Sequence, residues 1–299
     1  MISLQTNVTS LFAQNQLDIN DNAENTTIEQ LTSGYRINNS GDDAAGLAVA
    51  NSLQAEVAEL QQGVINASSG SSTLQIMDGG LSNISNLLDR LETLATEGAS
   101  GTFAGSYATL NNEFQSVLTE ITRQAGNIGL ASTVASGGLG TVTTSGTIGA
   151  SQYNTTPLTI FVGGGDANTA TDDQVTVDLT SNGTSSGGNG VDAFGLGLST
   201  SDVSSSTDAA NALTAVQSAI STLGVVQGAV GAGENLLNYA TNLANSQITN
   251  LTASEASIKD ANVAAAASNL AQEQTLQQSS IAALAQANSI PQAVLKLLQ

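Results

Sequence analysis

Paired aspartates and a glycine-rich loop are the residues of this chain best suited to chemistry. Asp172 and Asp173 follow the loop Gly163-Gly-Gly-Asp-Ala-Asn, and these residues could offer the oxygen ligands that Ca²⁺ prefers. The spacing of an EF-hand and the repeat of a calcium-binding β-helix are both absent. If the segment is extended, adjacent aspartates point to opposite faces, which disfavours a shared acid–base site. We therefore favour an ordinary solvent loop, and expect no metal site and no cofactor.

Composition excludes most other catalytic chemistry. The 299 residues contain no Cys and no His, so a thiol nucleophile, a Cys/His zinc site, a Ser-His-Asp triad and an H-E-x-x-H peptidase site cannot be built. The loop Gly137-Gly-Leu-Gly lacks the lysine and the following helix of a nucleotide loop. The sequence predicts a structural protein and not an enzyme.

The charge balance restricts the partners. Twenty-five acidic residues face five basic ones, for a formal net charge of −20. We therefore expect no nucleic acid and no anionic membrane as partner. With so few cations, association between chains must rest on apolar packing and side-chain amides, and low pH or high salt should favour it.

Membrane and export signals are not evident in the sequence. The first ten residues have neither the basic region nor the continuous apolar region of a cleaved signal peptide. Pure apolar runs, such as Val263 to Ala267, are only a few residues long. We expect no cleaved signal and no transmembrane span.

The elements that would position any site are helices in both terminal parts. Apolar residues recur there at alternating steps of three and four, which predicts narrow helical seams typical of bundles and coiled coils. Seam residues in the N-terminal part are Leu4, Val8, Leu11, Leu53, Val57, Leu60, Val64, Ile84, Leu87, Leu91, Leu94, Leu110, Phe114, Val117 and Ile121; later ones include Leu213, Val216, Ile220, Leu223, Gln227, Val230, Glu234, Leu237, Ala244, Ile281, Leu284, Leu295 and Leu298.

The middle of the chain has a different character. From about residue 131 to 206, Gly, Ser and Thr are dense and period-two segments occur at 141–147, 158–162 and 174–179, which predicts a small β-rich insert. Thr207-Asp208 should begin the next helix. The predicted fold is mainly α: antiparallel helical arms from both chain ends, with the insert projecting from the far end. The end segments have no partner of their own, so neighbouring chains should order them.

Two segments resemble bacterial flagellins. Leu31-Thr-Ser-Gly-Tyr-Arg-Ile-Asn-Asn-Ser-Gly-Asp-Asp-Ala-Ala-Gly is similar to the flagellin signature near the first long helix, and Ile258-Lys-Asp-Ala-Asn together with the run from Gln277 to Leu298 is also flagellin-like. The resemblance covers about residues 1–130 and 207–299. Its signature residues are Arg36, Asn38, Asp42, Asp43, Gly46, Asn288 and Pro291.

Local physical chemistry explains part of this signature. The turn-rich segment from Asn38 to Gly41 should break the helix, and Asp42 or Asp43 can cap the next one. Ala44-Ala45-Gly46 should allow close contact between helices.

The resemblance implies a structural subunit that polymerises through its two arms into the flagellar filament, the helical propeller for swimming. It implies an N-terminal filament-core arm (1–43), an N-terminal rod part (44–130), a surface-exposed variable insert (131–206), a C-terminal rod part (207–257) and a C-terminal core arm (258–299). The core seam would comprise Leu4, Val8, Leu11, Ile281, Leu284, Leu295 and Leu298.

The same resemblance implies an extracellular protein, exported by the flagellar type III apparatus without a cleaved signal peptide. Its partners would be further copies of itself, an export chaperone, the filament cap and the hook-junction proteins. Arg90, Leu94 and Glu113 match positions through which some flagellins contact a vertebrate innate immune receptor, although Asp89 and Thr93 depart from the pattern. The alternative for these residues is a solvated helix face.

Two other functional classes are alternatives. A hook–filament junction protein would share the helical arms, but such relatives usually diverge at the Asp-Asp-Ala-Ala-Gly element and the terminal Gln-Ala-Asn-x-x-Pro run, and both are present. A secreted adhesin or surface-layer protein would have a signal peptide and no paired terminal seams. The hydroxyl-rich insert, with Asn154 and Asn182, is a hypothetical site of glycan attachment.

Overall fold

A computed structural model describes residues 7–131, 157–163, 173–179 and 190–297, with the side chains of 290–297 outside the description. Leu4, Leu298, the side chains of Pro291 and Leu295, the period-two segment 141–147 and Asp172 therefore lie outside the described residues, as do Asn154 and Asn182.

Helices dominate the described part of the chain, which confirms the predicted fold class. In chain order the elements are α1 (Val8–Ser33), α2 (Ala44–Ala99), α3 (Tyr107–Asn127), β1 (Leu158–Phe161), β2 (Gln174–Val177), α4 (Ser206–Lys259) and α5 (Val263–Leu297). They form two compact units. A terminal unit comprises residues up to Ala58 and from Thr249 onward, and a central unit comprises Glu59–Ile248. Helices α2 and α4 contribute residues to both.

Heptad seams of small and branched side chains build the core of the central unit. Twelve positions of α2 fall into two sets spaced by seven, and all of them are buried: Leu60, Ala67, Leu74, Leu81, Leu88, Ala95, and Gly63, Gly70, Met77, Ile84, Leu91, Gly98. Helix α4 buries Val216, Leu223, Val230, Leu237 and Ala244 at one heptad position and Ala212, Ala219, Val226 and Gly233 at the other. Two such positions per heptad are the pattern of a coiled-coil seam.

The predicted seams were wrong by one residue at several positions. In α4 the prediction named Leu213, Ile220, Gln227 and Glu234, which are half-buried, whereas the preceding residues are buried, namely Ala212, Ala219, Val226 and Gly233. Likewise Leu88 is buried and Leu87 half-buried, and Leu118 is buried and Val117 half-buried. Small side chains such as Ala212 and Gly233 bring helix axes closer together, and a search for large apolar residues overlooks them. At Leu87 and Val117 the prediction instead chose the wrong one of two adjacent apolar residues.

The two strands form an antiparallel hairpin, with Leu158 paired to Val177 and Phe161 to Gln174. This confirms strands in two of the predicted period-two segments. The hairpin packs on α2 at Gly63 and Gly70 and on α4 at Gly233. A Cβ on Gly63 would lie 1.6 Å from the Val162 carbonyl oxygen, and one on Gly70 would lie 2.2 Å from the Ile160 side chain.

The described parts of the insert do not project from the helices, contrary to expectation. Ile160, Val162, Val177 and Leu179 are buried in the hairpin. Residues 190–205 also supply buried side chains, namely Val191, Ala193, Leu196, Leu198 and Val203. Dense Gly, Ser and Thr concealed these apolar residues, whose burial joins both segments to the core of the central unit.

Helix α4 also departs from two local predictions. It begins at Ser206 and not at Thr207, because the Ser205 hydroxyl accepts a hydrogen bond from the Asp208 backbone N–H at 3.2 Å, as an N-cap does. Within the described residues, α4 is also the one helix long and apolar enough to cross a membrane, with a window of mean hydropathy 1.3. The search for uninterrupted apolar runs missed it, and core helices of soluble proteins meet the same test.

Replacing Gly63 with alanine should destabilise the central unit. The new methyl group cannot share space with the Val162 carbonyl, so the hairpin must move, at a cost of about 1–3 kcal/mol. Gly79→Ala, in the same helix but with no atom within 4 Å of the new Cβ, should instead stabilise by about 0.5–1 kcal/mol. Urea unfolding of the two variants measures both changes, and an equal shift for the pair would refute the packing role of Gly63.

Candidate functional site

Helices α1 and α5 pack against each other and form the arm pair. Inward positions on each helix follow an unbroken heptad: Ser10, Ala13, Leu17, Asn20, Glu24, Thr27 and Leu31 on α1, and Ala266, Leu270, Glu273, Gln277, Ser280, Leu284 and Ala287 on α5. All are buried or half-buried. The fully buried members are small or polar, including Asn20 at 8% exposure and Thr27 at 6%.

Side-chain hydrogen bonds run across the arm pair. The Asn20 amide donates to the Ser280 hydroxyl at 2.8 Å, the Gln277 amide donates to the Asp21 carboxylate at 2.8 Å, and the Thr27 hydroxyl donates to Glu273 at 3.0 Å.

Near the start of α1, the Asn7 side chain donates to the Ala287 carbonyl at 2.8 Å, and the Ser10 hydroxyl donates to the Asn288 side chain at 2.8 Å. From Ser10 with Asn288, through Asn20 with Ser280, to Thr27 with Glu273, residue numbers rise on α1 and fall on α5. The predicted antiparallel arrangement of the arms is therefore present in the terminal unit.

Many large apolar residues of the arm pair point outward. Val8 is 67% exposed, Leu11 62% and Ile281 52%, while Leu284 is half-buried. The outward set also includes Phe12, Ile19, Ile28, Val263 and Leu276. The arms were expected to have no partner of their own. That was wrong, because each arm is the other's partner, through a seam in which polar and small side chains, which an apolar search does not score, alternate with leucine.

Carboxylates outnumber cations in the arm pair. Helix α1 carries four acidic residues and no basic one, and α5 carries Glu273 and Lys296. One carboxylate oxygen of Glu273 is buried without a hydrogen-bond partner. Burying an uncompensated charge weakens an interface, so the arm pair has little stabilisation of its own.

The signature segment after α1 meets the break between α4 and α5, and we call residues 34–43 with 259–262 the junction. Gly34 adopts the left-handed conformation (φ 77°) that ends α1. Tyr35 and Asp260 form an antiparallel bridge. The Arg36 N–H donates to the Lys259 carbonyl at 2.7 Å, and the Ala261 N–H donates to the Gly34 carbonyl at 2.9 Å.

The Arg36 side chain connects two helix ends at the junction. Its guanidinium donates to the Ile258 carbonyl at 2.8 and 3.3 Å, near the C-terminus of α4. Its Nη2 also lies 3.7 Å from the Asp43 carboxylate at the start of α2. A cation at a helix C-terminus and a carboxylate at an N-terminus both complement the helix dipole. The Lys259 Nζ lies 4.8 Å from the centre of the Tyr35 ring, which adds a cation–π contact at the junction.

The two signature aspartates have separate roles. The Asp43 carboxylate accepts the Gly46 N–H at 2.8 Å and caps α2. Asp42 instead accepts the N–H groups of Asn38 and Asn39, each at 2.9 Å, and closes the turn. These hydrogen bonds, that of Asn39 first, lower the pKa of Asp42 below its usual 3.8.

The role predicted for Gly46 was wrong. A Cβ there would lie 2.4 Å from the Asp43 carboxylate and 3.0 Å from the Ile37 side chain, so the glycine makes room for the cap and not for another helix. Ile37, only 2% exposed, anchors the turn. Sequence reasoning missed it because it belongs to no periodic seam.

The remaining predicted site residues lie in the central unit. Arg90 and Glu113 are exposed and form an ion pair, with Nε to Oε1 at 3.0 Å. Leu94 is 1% exposed, so a partner at this surface would contact the ion pair and not Leu94. Asp173 is buried at the start of β2, and its backbone carbonyl accepts the N–H groups of Val162 and Gly163. Among the described residues no group of three potential metal ligands occurs.

Two family models match the chain. The bacterial flagellin N-terminal helical region matches residues 4–132, and the bacterial flagellin C-terminal helical region matches residues 213–298. The first match therefore contains α1–α3 with most of the junction, and the second contains α5 with most of α4.

Similar relatives include a flagellin of Escherichia coli strain K12, 40% identical over 124 residues, or 41% of this chain and 25% of the relative. A B-type flagellin of Pseudomonas aeruginosa is 37% identical over 123 residues, or 41% and 25%. A flagellin of Salmonella muenchen is 38% identical over 166 residues, or 56% and 30%. The matches thus span between a quarter and a third of the length of these relatives.

Loss of the Arg36 guanidinium should destabilise the terminal unit. Arg36→Ala removes two hydrogen bonds to the Ile258 carbonyl and the ion pair with Asp43, at a cost of about 1 kcal/mol for this half-exposed group. Among the described residues Arg123 is similarly exposed and pairs with Glu120 on its own helix, so Arg123→Ala should cost less than Arg36→Ala. Amide exchange at residues 258–262 should accelerate in the first variant alone; unchanged exchange there would contradict the capping role.

Acid should open the signature turn through Asp42. Because its pKa is lower in the folded chain, its contribution is present above the unfolded value of 3.8 and is lost as pH falls through the lower folded pKa. Protection of the Asn38 and Asn39 amides, followed by NMR, should decline over that range. Asp42→Asn should weaken this protection at neutral pH and remove its acid dependence; an unchanged acid transition in the variant would assign it to another group.

Proposed function

Because the chain belongs to the bacterial flagellin family, we propose that it is the structural subunit of a flagellar filament and polymerises through the arm pair. The observation that carries the proposal is the large apolar surface left exposed on the arms: side chains such as Val8, Leu11 and Ile281 face outward, while the inward seam mixes leucine with polar and small residues. Exposed apolar surface larger than scattered single residues is typical of a protein–protein contact.

The energetics of the arms support assembly. Burying one exposed Leu or Ile contributes about 1.5–3 kcal/mol, and each arm offers several. The side chains between the arms contribute little, since they exchange hydrogen bonds to water for hydrogen bonds to each other. Contact with neighbouring copies would then supply the burial that the single chain lacks.

The division of labour along the chain follows from this assignment. Residues 1–43 and 258–299 would form the filament core, with Leu4, Val8, Leu11, Ile281, Leu284, Leu295 and Leu298 in its apolar contacts. Residues 44–130 and 207–257 would form the surrounding rod layer. Residues 131–206 would be displayed outside it, except that the hairpin and residues 190–205 belong to the core of the central unit. The polymer would be the helical propeller of swimming cells.

Location and partners extend the proposal. The protein would be extracellular, exported by the flagellar type III apparatus without a cleaved signal, and would meet an export chaperone, the filament cap and hook-junction proteins. The exposed pair of Arg90 and Glu113 is the surface on which an innate immune receptor would be sought. Neither catalysis nor a cofactor has a role in the proposal.

Substituting outward arm residues tests the proposal. Leu11→Gln with Ile281→Gln leaves the inward seam intact but removes two apolar contacts per subunit, so the critical concentration for seeded growth should rise at least about tenfold. Ile76→Gln is the matched control, because Ile76 is 55% exposed in the central unit. Sedimentation and electron microscopy give the readout. Growth of the double variant at the wild-type concentration would reject assembly through the arms.

A further inference from the structure

The inward seam of the arm pair has a defined register. Pairing the heptad positions in antiparallel order sets Ser10 beside Ala287, Asn20 beside Gln277 and Leu31 beside Ala266, so that the two residue numbers of each layer add to the same value throughout. The bonds of Asn20 to Ser280 and of Thr27 to Glu273 agree with this alignment within one turn.

Each slipped register loses one of these bonds. A slip by one heptad puts Glu273 or Ala287 in the place of Ser280 beside Asn20, and correspondingly Ala266 or Ser280 in the place of Glu273 beside Thr27. The first slip therefore leaves the Thr27 hydroxyl without a partner, and the second leaves the Asn20 amide without one. A buried amide without a partner costs more than the bond it lost contributes. Polar residues at buried heptad positions fix the register of coiled coils in this way, and they reduce stability as they do so.

The charges of the arms also oppose pairing between like arms. Helix α1 carries Asp18, Asp21, Glu24 and Glu29 without a basic residue. Two copies of α1 side by side would bring eight carboxylates together, whereas α5 carries one carboxylate, Glu273, over the same length. Repulsion between like charges therefore favours the pairing of α1 with α5.

We infer that the polar inward seam, through Asn20 and Thr27 in particular, is a specificity determinant of the arms: beyond the alignment that the junction sets at their base, it disfavours pairings of α1 and α5 that are slipped by a heptad. It leaves the stability of the pair to the outward apolar contacts. This inference rests on the proposed function, because only an assembling chain must keep its arms unstable alone and correctly paired in the polymer. A wholly apolar seam would pair more tightly, in several registers and between chains.

Disulfide reporters can test the register, since the natural chain has no cysteine. Ser10→Cys with Ala287→Cys reports the native alignment, and Ser10→Cys with Ser280→Cys reports a slip of one heptad. In the otherwise natural full-length chain, oxidation should join the second pair at least tenfold less than the first. Adding Asn20→Leu should raise the slipped product about tenfold, because leucine then meets Leu270.

Two further variants make the result specific. Thr27→Val is nearly isosteric and should also raise the slipped product, because it removes the hydroxyl that bonds Glu273. This second variant keeps the test valid if Asn20→Leu does not fold. Ala13→Leu adds apolar bulk at an inward position without removing a polar group, and should not raise it. No increase in the Asn20 and Thr27 variants, or an equal increase in the Ala13 variant, would overturn the inference.

Seeded growth separates this inference from the proposed function. Asn20→Leu without added cysteines should grow on filament seeds several-fold more slowly than the natural chain, while Ala13→Leu should grow normally. Failure of the natural chain itself to grow would count against the proposed function, whereas the cross-linking result would stand. Normal growth of Asn20→Leu together with a native-only cross-link would reject the seam as a determinant.

Discussion

The heptad spacing of small inward side chains is the constraint on which the rest of this structure depends. A repeat of seven keeps one stripe of each helix facing its neighbour, and Ala or Gly on that stripe lets the backbones approach closely. In α2 the repeat runs unbroken from Leu60 to Gly98, and in α4 from Ala212 to Ala244. With aromatic residues forming only 3% of the chain, burial has to accumulate along these long seams. The two strands depend on the same choice, because Gly63 and Gly70 form the surface on which they lie.

The same geometry serves opposite purposes in the two units. In the central unit the heptad positions hold Leu, Ile, Val and Met together with Ala and Gly, so the seam buries apolar surface and stabilises the fold outright. In the arm pair the heptads continue, but Asn20, Thr27, Glu273 and Gln277 occupy some of them, and many of the large apolar side chains lie on the outer face. The two units differ in which residues occupy the heptad positions, and not in the spacing of those positions. This difference gives one unit a buried apolar core and leaves apolar surface exposed on the other.

This difference explains what the sequence could predict. Periodicity revealed the helices and their antiparallel return, and alternation revealed both described strands, because these signals depend on spacing alone. It failed to identify the inward face wherever the inward residue was small or polar, as at Ala219 or Asn20, since hydrophobicity then ranks the wrong neighbour first. Contacts far apart in sequence, such as those of Arg36 with Ile258 or Gly63 with Val162, leave no local pattern and required the structure.

The chain has few basic residues, and the junction is a place where a positive charge is stabilising. Arg36 and Lys259, two of only five basic residues, meet there around the end of α4. The last carbonyl groups of a helix lack intrahelical donors, and a cation satisfies them while also opposing the dipole. At the same point Asp43 caps α2, so the carboxylate that starts one helix lies beside the guanidinium that ends another. Elsewhere the chain uses serine, asparagine and aspartate for caps, which need no positive charge. The Arg36 side chain is long enough to reach both ends at once, and this accounts for its place within the signature.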